Sequence, residues 1–589
     1  MAVNTEKTDN AEKDIAVEKD VHTEKAIAQT VQKLIDYAVL TDLIGWNDRV
    51  WSYNLVLDLI GAEGPAPDET WVLAEKDSCG GHAGVPADTF DLEDTLALLA
   101  RAAVLNGKEE DTAAGRDRIS MRIMGILMPK PSDVFRTFRD LYEKNSPKAA
   151  TDYFYRLSCD AGYVRREAIA RNIQWTTPTK WKDLEITINL SKPEKDPREI
   201  AAAGAAAAAK TTGNAGVSGA AKTAGTAQCS GEKYPACQLC IENEGYPGRD
   251  ASSAFGAHPA RQNLRIIPIE LGGERWGLQY SPYAYFTEHC IAMSAHHRLM
   301  HIDRSALECL FDFVDFLPHY FVGSNADLPI VGGSILSHDH FQGGAHEFPL
   351  MKADVSETFG FPKYPDIKGE ILAWPLSVVR LTSSNKKALL DASDHTIATW
   401  RAYSDASVGI IAYSADGTPH NTVTPVVRRV NSHYEVYLIL RCNITSDEHP
   451  LGVFHPHAEY HHIKKENIGL IEVMGLAVLP PRLVPELNKV QSVMEQCLAN
   501  DKKANAVYGQ LTTDSTTISH ADWARQIYAK LLEQDKTLNK DNTSLSSEQI
   551  KNYIYDEVGI VFSHVLEDAG VFKWDEKGRA AQHRFLESL

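Results

Sequence analysis

The chain reads as an α+β protein, with two strand-rich stretches that each run into a cluster of histidines, framed by helical N- and C-terminal regions. Three observations predict this. Ile27, Val31, Leu34, Ile35, Ala38 and Val39 recur at helical spacing and form one apolar stripe. Short apolar segments with strand character, bounded by turn residues, fall at 263–293 and 371–440. From about residue 485 helical spacing returns, with Trp523, Ile527 and Leu531 on one face.

Taken in order, residues 1–23 are charged and poor in large apolar side chains, as in a flexible leader. Residues 24–199 are mainly helical, closing on an alternating strand at 184–190. From 200 to 229 the composition collapses to Ala, Gly, Thr, Ser and Lys, which have no apolar face to bury, so this is a linker or surface insertion. A first strand-rich module spans 230–370. It has strands at 263–269, 276–280 and 289–293, a helix over 304–320, and a strand carrying a histidine motif. A second module spans 371–485, with strands at 371–381 and 434–440 and a histidine cluster at 455–462. The repetition of strands followed by histidines suggests an internal duplication. Residues 486–589 are helical.

Bulk numbers narrow the function. At 589 residues the chain divides into several domains, and 43% hydrophobic with 24% charged residues is ordinary globular composition. A net charge of −19 argues against nucleic-acid or acidic-membrane binding, which needs clustered Lys and Arg. Nine cysteines without regular spacing make no disulfide framework. With no apolar signal segment after Met1 and no membrane-spanning window, the expected location is cytoplasmic.

The most informative residues are Ser337 to Gly344, where His338, His340 and Gln342 alternate. On a strand the three would share one face. One imidazole is then a nucleophile or base, the other a metal ligand or orienting group, and the amide a donor to an anionic oxygen. The nearby Gly332-Gly333 pair would let backbone N–H groups approach a phosphate. Cys237 and Cys240 form a Cys-x-x-Cys, half of a zinc site or a redox couple, with His289, His296, His297 and His338 available as further ligands. The cluster at 455–462 reads as a second metal site or, slightly better, as a polar loop. Arg261 and Asn263, at a strand start, are candidates for holding a phosphate or base.

The segment Asn325 to Gly344 resembles the active-site segment of the class II galactose-1-phosphate uridylyltransferases, members of the histidine-triad superfamily. So do Tyr234 to Tyr246, Asp183 to Lys195 and Glu459 to Leu470. The resemblance implies two histidine-triad-like antiparallel β-sheet modules and a double-displacement transfer of UMP. His340 would attack the α-phosphorus of UDP-glucose, and galactose-1-phosphate would then collect the uridylyl group. Gln342 would donate to the phosphoryl oxygens, and Ser334 and Asn325 would lie near the phosphate. Cys237, Cys240, His297 and His338 would hold a structural zinc, with no organic cofactor, in a homodimer. UTP would present the same α-phosphorus in place of UDP-glucose. Two other functions compete: a nucleotidyl hydrolase of the same superfamily, against which Gln342 in place of a third histidine argues, and a zinc-stabilised binding protein without chemistry.

Overall fold

The described residues between 24 and 170 form successive helices, among them Glu24–Leu40, Arg49–Ile60, Leu92–Leu105, Ala113–Leu127, Pro131–Lys144 and Pro147–Asp160. Their starts follow from local chemistry. Asp91, Thr112 and Ser146 accept hydrogen bonds from the N–H groups of Asp94, Gly115 and Ala149. Pro131 and Pro147 open the next two helices, where a missing N–H costs nothing. The stripe predicted at 27–39 is the packed face of the first helix, with Val31, Leu34, Ile35 and Ala38 buried. The structure, a computed structural model, describes residues 24–63, 66–73, 90–190, 233–333, 335–538 and 545–589. The expected leader, the Ala/Gly-rich insertion at 200–229 and Ser334 lie outside these residues.

The strands are β1 (Ile173–Thr177), β2 (Leu184–Ile188), β3 (Ile267–Leu271), β4 (Glu274–Tyr280), β5 (Cys290–Ser294), β6 (Phe321–Gly323), β7 (His340–Gly344), β8 (Val355–Phe361), β9 (Tyr364–Leu372), β10 (Val378–Ser383), β11 (Asn421–Val430), β12 (His433–Cys442) and β13 (Leu476–Leu479). β1, β2 and β13 form a small sheet, β13 lying parallel to β2. The other ten make one sheet in the order β3-β4-β5-β7-β6-β11-β12-β10-β9-β8, every pairing antiparallel.

The two expected strand sets are therefore halves of a single sheet, and each half repeats the same plan. Numbered in chain order, the five strands of a half lie as first, second, third, fifth, fourth. A helix links third to fourth: Arg304–Phe316 in one half, Lys386–Ala402 in the other. The two fourth strands meet at the junction, where Gly323 pairs with Val426 and Val322 with Val427. β9 pairs with β10 and β8 with β9, so both join the second half, although both begin before residue 371. β8 is mostly exposed and has no apolar stripe to signal a strand. The single expected run at 371–381 is two strands, because the chain bends between Leu372 and Val378.

Alternation assigns the two faces. Phe341, Val427, Val436, Leu438 and Leu440 pack into one core with Phe313 of the Arg304–Phe316 helix and Trp400 of the Lys386–Ala402 helix. Val426, Tyr437 and Ile439 face a second core with Ile186, Leu470, Val478 and the C-terminal helices, including Ser547–Ala569. Phe341 stacks on Trp276 at 4.9 Å, which turns its neighbours His340 and Gln342 to the other face. No described helix is long and apolar enough to cross a membrane.

Asp327 locks the junction from its edge. Its buried carboxylate accepts from Arg401 at 2.7 Å, from the Ile302 N–H at 2.9 Å and from the Thr422 hydroxyl, and His301 lies 3.3 Å away. Burial works against ionisation here, but these partners outweigh it and hold the carboxyl well below its usual range. A carboxylate so depressed adds stability that is present at neutral pH and lost as pH falls below about 4. Asp327→Ala leaves Arg401 facing an empty site and is expected to cost about 3–5 kcal/mol, read as a lowered urea midpoint at pH 7.

Candidate active site

Cys237 and Cys240 lie on a tight loop whose backbone points at their own sulfurs. The Leu239 N–H reaches the Cys237 Sγ at 3.3 Å, and the Cys237 N–H reaches the Cys240 Sγ at 3.4 Å. The two sulfurs are 3.7 Å apart. His338 Nδ1 lies 3.2 Å from one and 3.8 Å from the other, and His297 Nδ1 lies 3.4 Å from Cys240. All four donor atoms fall within 4.8 Å of one another. A tetrahedral ion with metal–sulfur bonds of about 2.3 Å would separate two sulfurs by about 3.8 Å, so this donor set fits a zinc-sized ion. A hydrogen bond from the Cys237 thiol, together with the His338 and His297 rings, holds the Cys240 thiol far below its ordinary value, while that same bond and burial push the Cys237 thiol up. Among the described residues this is the one group of His, Cys, Asp and Glu side chains close enough to share an ion.

His338 is fixed from both sides. Its Nε2 donates to the Ser294 carbonyl at 2.9 Å, leaving Nδ1 bare toward the sulfurs. It precedes β7 rather than lying on it, because the strand begins at His340. The shared face expected for three residues therefore holds for two: His340 and Gln342.

His340 Nδ1 lies 2.7 Å from the His338 carbonyl. A carbonyl only accepts, so Nδ1 carries the proton and Nε2 keeps its lone pair. The ring is buried, and burial pushes its pKa down to about 4, leaving it neutral near pH 7. Gln342, across β7 from Ile291, has its Oε1 2.9 Å from His289 Nε2.

Asn325 is buried beneath the glycine pair. Its Oδ1 accepts from the Leu470 N–H at 2.9 Å, and a Cβ on Gly333 would come within 2.6 Å of its Nδ2. It therefore fastens the 325–333 loop to the segment that crosses the His340 face of the sheet. Beside that segment Lys464, almost wholly buried, is paired with Glu466 at 3.2 Å and with Glu472.

The hydrogen bonds of Arg261 and Asn263 run elsewhere. Asn263 Nδ2 donates to the Ala161 carbonyl at 3.0 Å, which ties its loop to the helical region, while Arg261 donates to the carbonyl of its neighbour Ala260 at 3.3 Å, with its guanidinium 5.9 Å from the Tyr163 ring. The histidines at 455–462 are engaged locally: His457 lies 3.3 Å from Asp568 and stacks on His449 at 4.0 Å, and His462 donates to the Glu459 carbonyl.

Past the end of β7 a cavity of about 620 Å³ opens between the helical region and the small sheet, lined by Tyr155, Trp175, Glu185, Tyr285, Phe286 and His346. His346 Nε2 meets Glu185 at 2.7 Å. The volume is within the range of small-molecule sites. No single stretch of sequence announces this cavity, because its walls come from four regions of the chain.

Two glycines on β7 set how closely its neighbour approaches. A Cβ on Gly343 would sit 2.5 Å from the Phe321 carbonyl on β6 and 3.3 Å from the Phe313 ring. Gly343→Ala is expected to destabilise by about 1–3 kcal/mol, measured as a shift in the denaturation midpoint, since backbone cannot yield as a flexible side chain does.

Comparison with known proteins adds to this geometry. The family described as galactose-1-phosphate uridyl transferase, N-terminal domain, matches residues 90–298, and its C-terminal domain matches 313–505. A galactose-1-phosphate uridylyltransferase of Bacillus subtilis is 42% identical over 565 residues, covering 96% of this chain and 98% of the relative. One from Caldanaerobacter subterraneus is 43% identical over 570 residues, with 96% and 98% covered. One from Latilactobacillus sakei is 44% identical over 542 residues, with 92% and 94% covered. No solved structure matches the chain.

Proposed function

This chain belongs to the galactose-1-phosphate uridylyltransferase family and is a nucleotidyltransferase of galactose metabolism; from that premise we propose that it works by double displacement through His340. The observation that carries this reading is the 2.7 Å hydrogen bond from His340 Nδ1–H to the His338 carbonyl, which leaves Nε2 as the free nucleophile.

In the first half-reaction Nε2 attacks the α-phosphorus of UDP-glucose. The N–P bond forms as the bond from that phosphorus to the bridging oxygen breaks, and glucose-1-phosphate leaves with the electron pair. The ring becomes a uridylyl-imidazolium whose Nδ1–H still donates to His338. In the second, a phosphate oxygen of galactose-1-phosphate attacks the same phosphorus, the N–P bond breaks, and neutral His340 returns with UDP-galactose. The Gln342 amide N–H donates to the phosphoryl oxygens as charge builds there. An amide offers no acidic proton, which suits transfer to a sugar phosphate better than hydrolysis. The cavity past β7, about 620 Å³, has room for the remainder of a nucleotide sugar, which supports this reading.

Cys237, Cys240, His297 and His338 would hold a zinc ion, which when bound supplies rigidity to the strand start rather than chemistry at the phosphorus. Asn325, by gripping the loop at Gly333, keeps the glycine pair beside the site. We place the enzyme in the cytoplasm as a homodimer.

Intact mass after incubation with UDP-glucose and no acceptor is expected to rise by one uridylyl group, and His340→Ala, with its fold intact, is expected to show no gain. Release of UMP without an adduct would favour a hydrolase, and full turnover by His340→Ala would exclude the covalent route. Separately, Cys237→Ser is expected to lower bound zinc, read by elemental analysis, and to lower the melting temperature together with the rate.

A further inference from the structure

His289 lies one residue before β5 and is 2% exposed. Ile291 pairs across to Gln342, and His289, two residues earlier, shares its face and reaches diagonally along the sheet to the Gln342 side chain. Its Nε2 lies 2.9 Å from Gln342 Oε1. Phe286 packs on the ring at 4.4 Å and Tyr285 at 5.6 Å, and the backbone is tied to Phe286 and Ser281. Its Nδ1 is buried and has no hydrogen-bond partner among the described residues.

That unpaired atom selects the tautomer. A proton on Nδ1 would bury an N–H without an acceptor, whereas an unprotonated Nδ1 leaves only an idle lone pair. Burial pushes the ring's pKa down to about 4, so near neutrality it carries one proton. That proton therefore sits on Nε2, and its only use is to donate to the Gln342 carbonyl oxygen. With its oxygen held by His289, the amide turns its NH2 the other way.

We propose that His289 is a positioning residue that fixes the Gln342 amide with its nitrogen, not its oxygen, toward the transferring phosphoryl group. This rests on the role given above to Gln342. An amide free to flip would present its oxygen to an anion in part of the molecules, and His289 removes that state.

The test is a double-mutant cycle on the full chain, reading single-turnover uridylylation by UDP-glucose in the wild type, His289→Phe, Gln342→Ala and the double variant. Removing a preorganised donor typically costs about 10²–10³ in rate, so His289→Phe is expected to slow the step by about 10-fold or more with little change in KM. The double variant should be no slower than Gln342→Ala. His289→Gln, which returns an amide N–H near the position of the ring Nε2, should recover part of the loss. Equal slowing by His289→Phe in both backgrounds, or none in the wild type, would overturn the proposal while leaving the role of Gln342 intact. A Gln342→Ala enzyme as fast as the wild type would overturn both. Should His289→Phe not fold, nitrogen NMR of the His289 ring in the unaltered protein decides, since a proton found on Nδ1 would refute the assignment.

Discussion

His338 is the residue on which the site depends, because three of its atoms serve three structures at once. Nδ1 faces the two thiols, Nε2 holds the end of β5 through the Ser294 carbonyl, and its own carbonyl orients His340. The tautomer of His340 is therefore set by backbone, and that backbone is pinned by a cluster of side chains drawn from three separate loops. The peptide that bears this carbonyl is held from its other end too, the Asp339 N–H donating to the Arg298 carbonyl at 2.8 Å. Burial does the rest, since a dry ring resists protonation and its lone pair stays available.

The sheet contributes position and the covering segment contributes enclosure. β7 lies between β5 and β6, packed from behind by Trp276 and Phe313, so the strand cannot move toward its helix without disturbing a filled core. On the working face the chain from 464 to 472 crosses over and is fastened to Asn325 by one backbone hydrogen bond. The buried charges of Lys464, Glu466 and Glu472 keep that segment in one arrangement.

Much of this was legible in the residues. The Cys-x-x-Cys pointed to a cluster that the structure completes with His338 and with His297, the histidine that the family resemblance singled out, and the alternation of His340 and Gln342 placed both on one face of β7. The helical stripe at 27–39 was visible because its apolar period is clean, and the strand at 434–440 because its apolar run is unbroken from Val436 to Leu440. Other features had no local signal. β8 is an exposed edge strand, and its pairing with β9 could not be read from polarity. His289 was one histidine among several near a Cys-x-x-Cys, and only the diagonal geometry of β5 and β7 separates a ring that touches Gln342 from one that touches sulfur. Arg261 and Asn263 were candidates for anion contacts, and only the tertiary structure shows the Asn263 side chain bonded to the Ala161 carbonyl and that of Arg261 to the carbonyl of its neighbour Ala260.

The two halves of the large sheet share one strand order and meet through their equivalent strands, the arrangement a pair of identical subunits would adopt about a two-fold axis. A single polypeptide that carries both copies is released from symmetry. In the first half the fifth strand bears His340 and Gln342. In the second, β12 presents Val436, Tyr437, Leu438, Ile439 and Leu440, all buried. One copy has thus kept polar residues that are costly to bury, while the other has become a scaffold. The two halves can therefore carry different residues at equivalent positions, polar in one and apolar in the other, which two identical subunits could not.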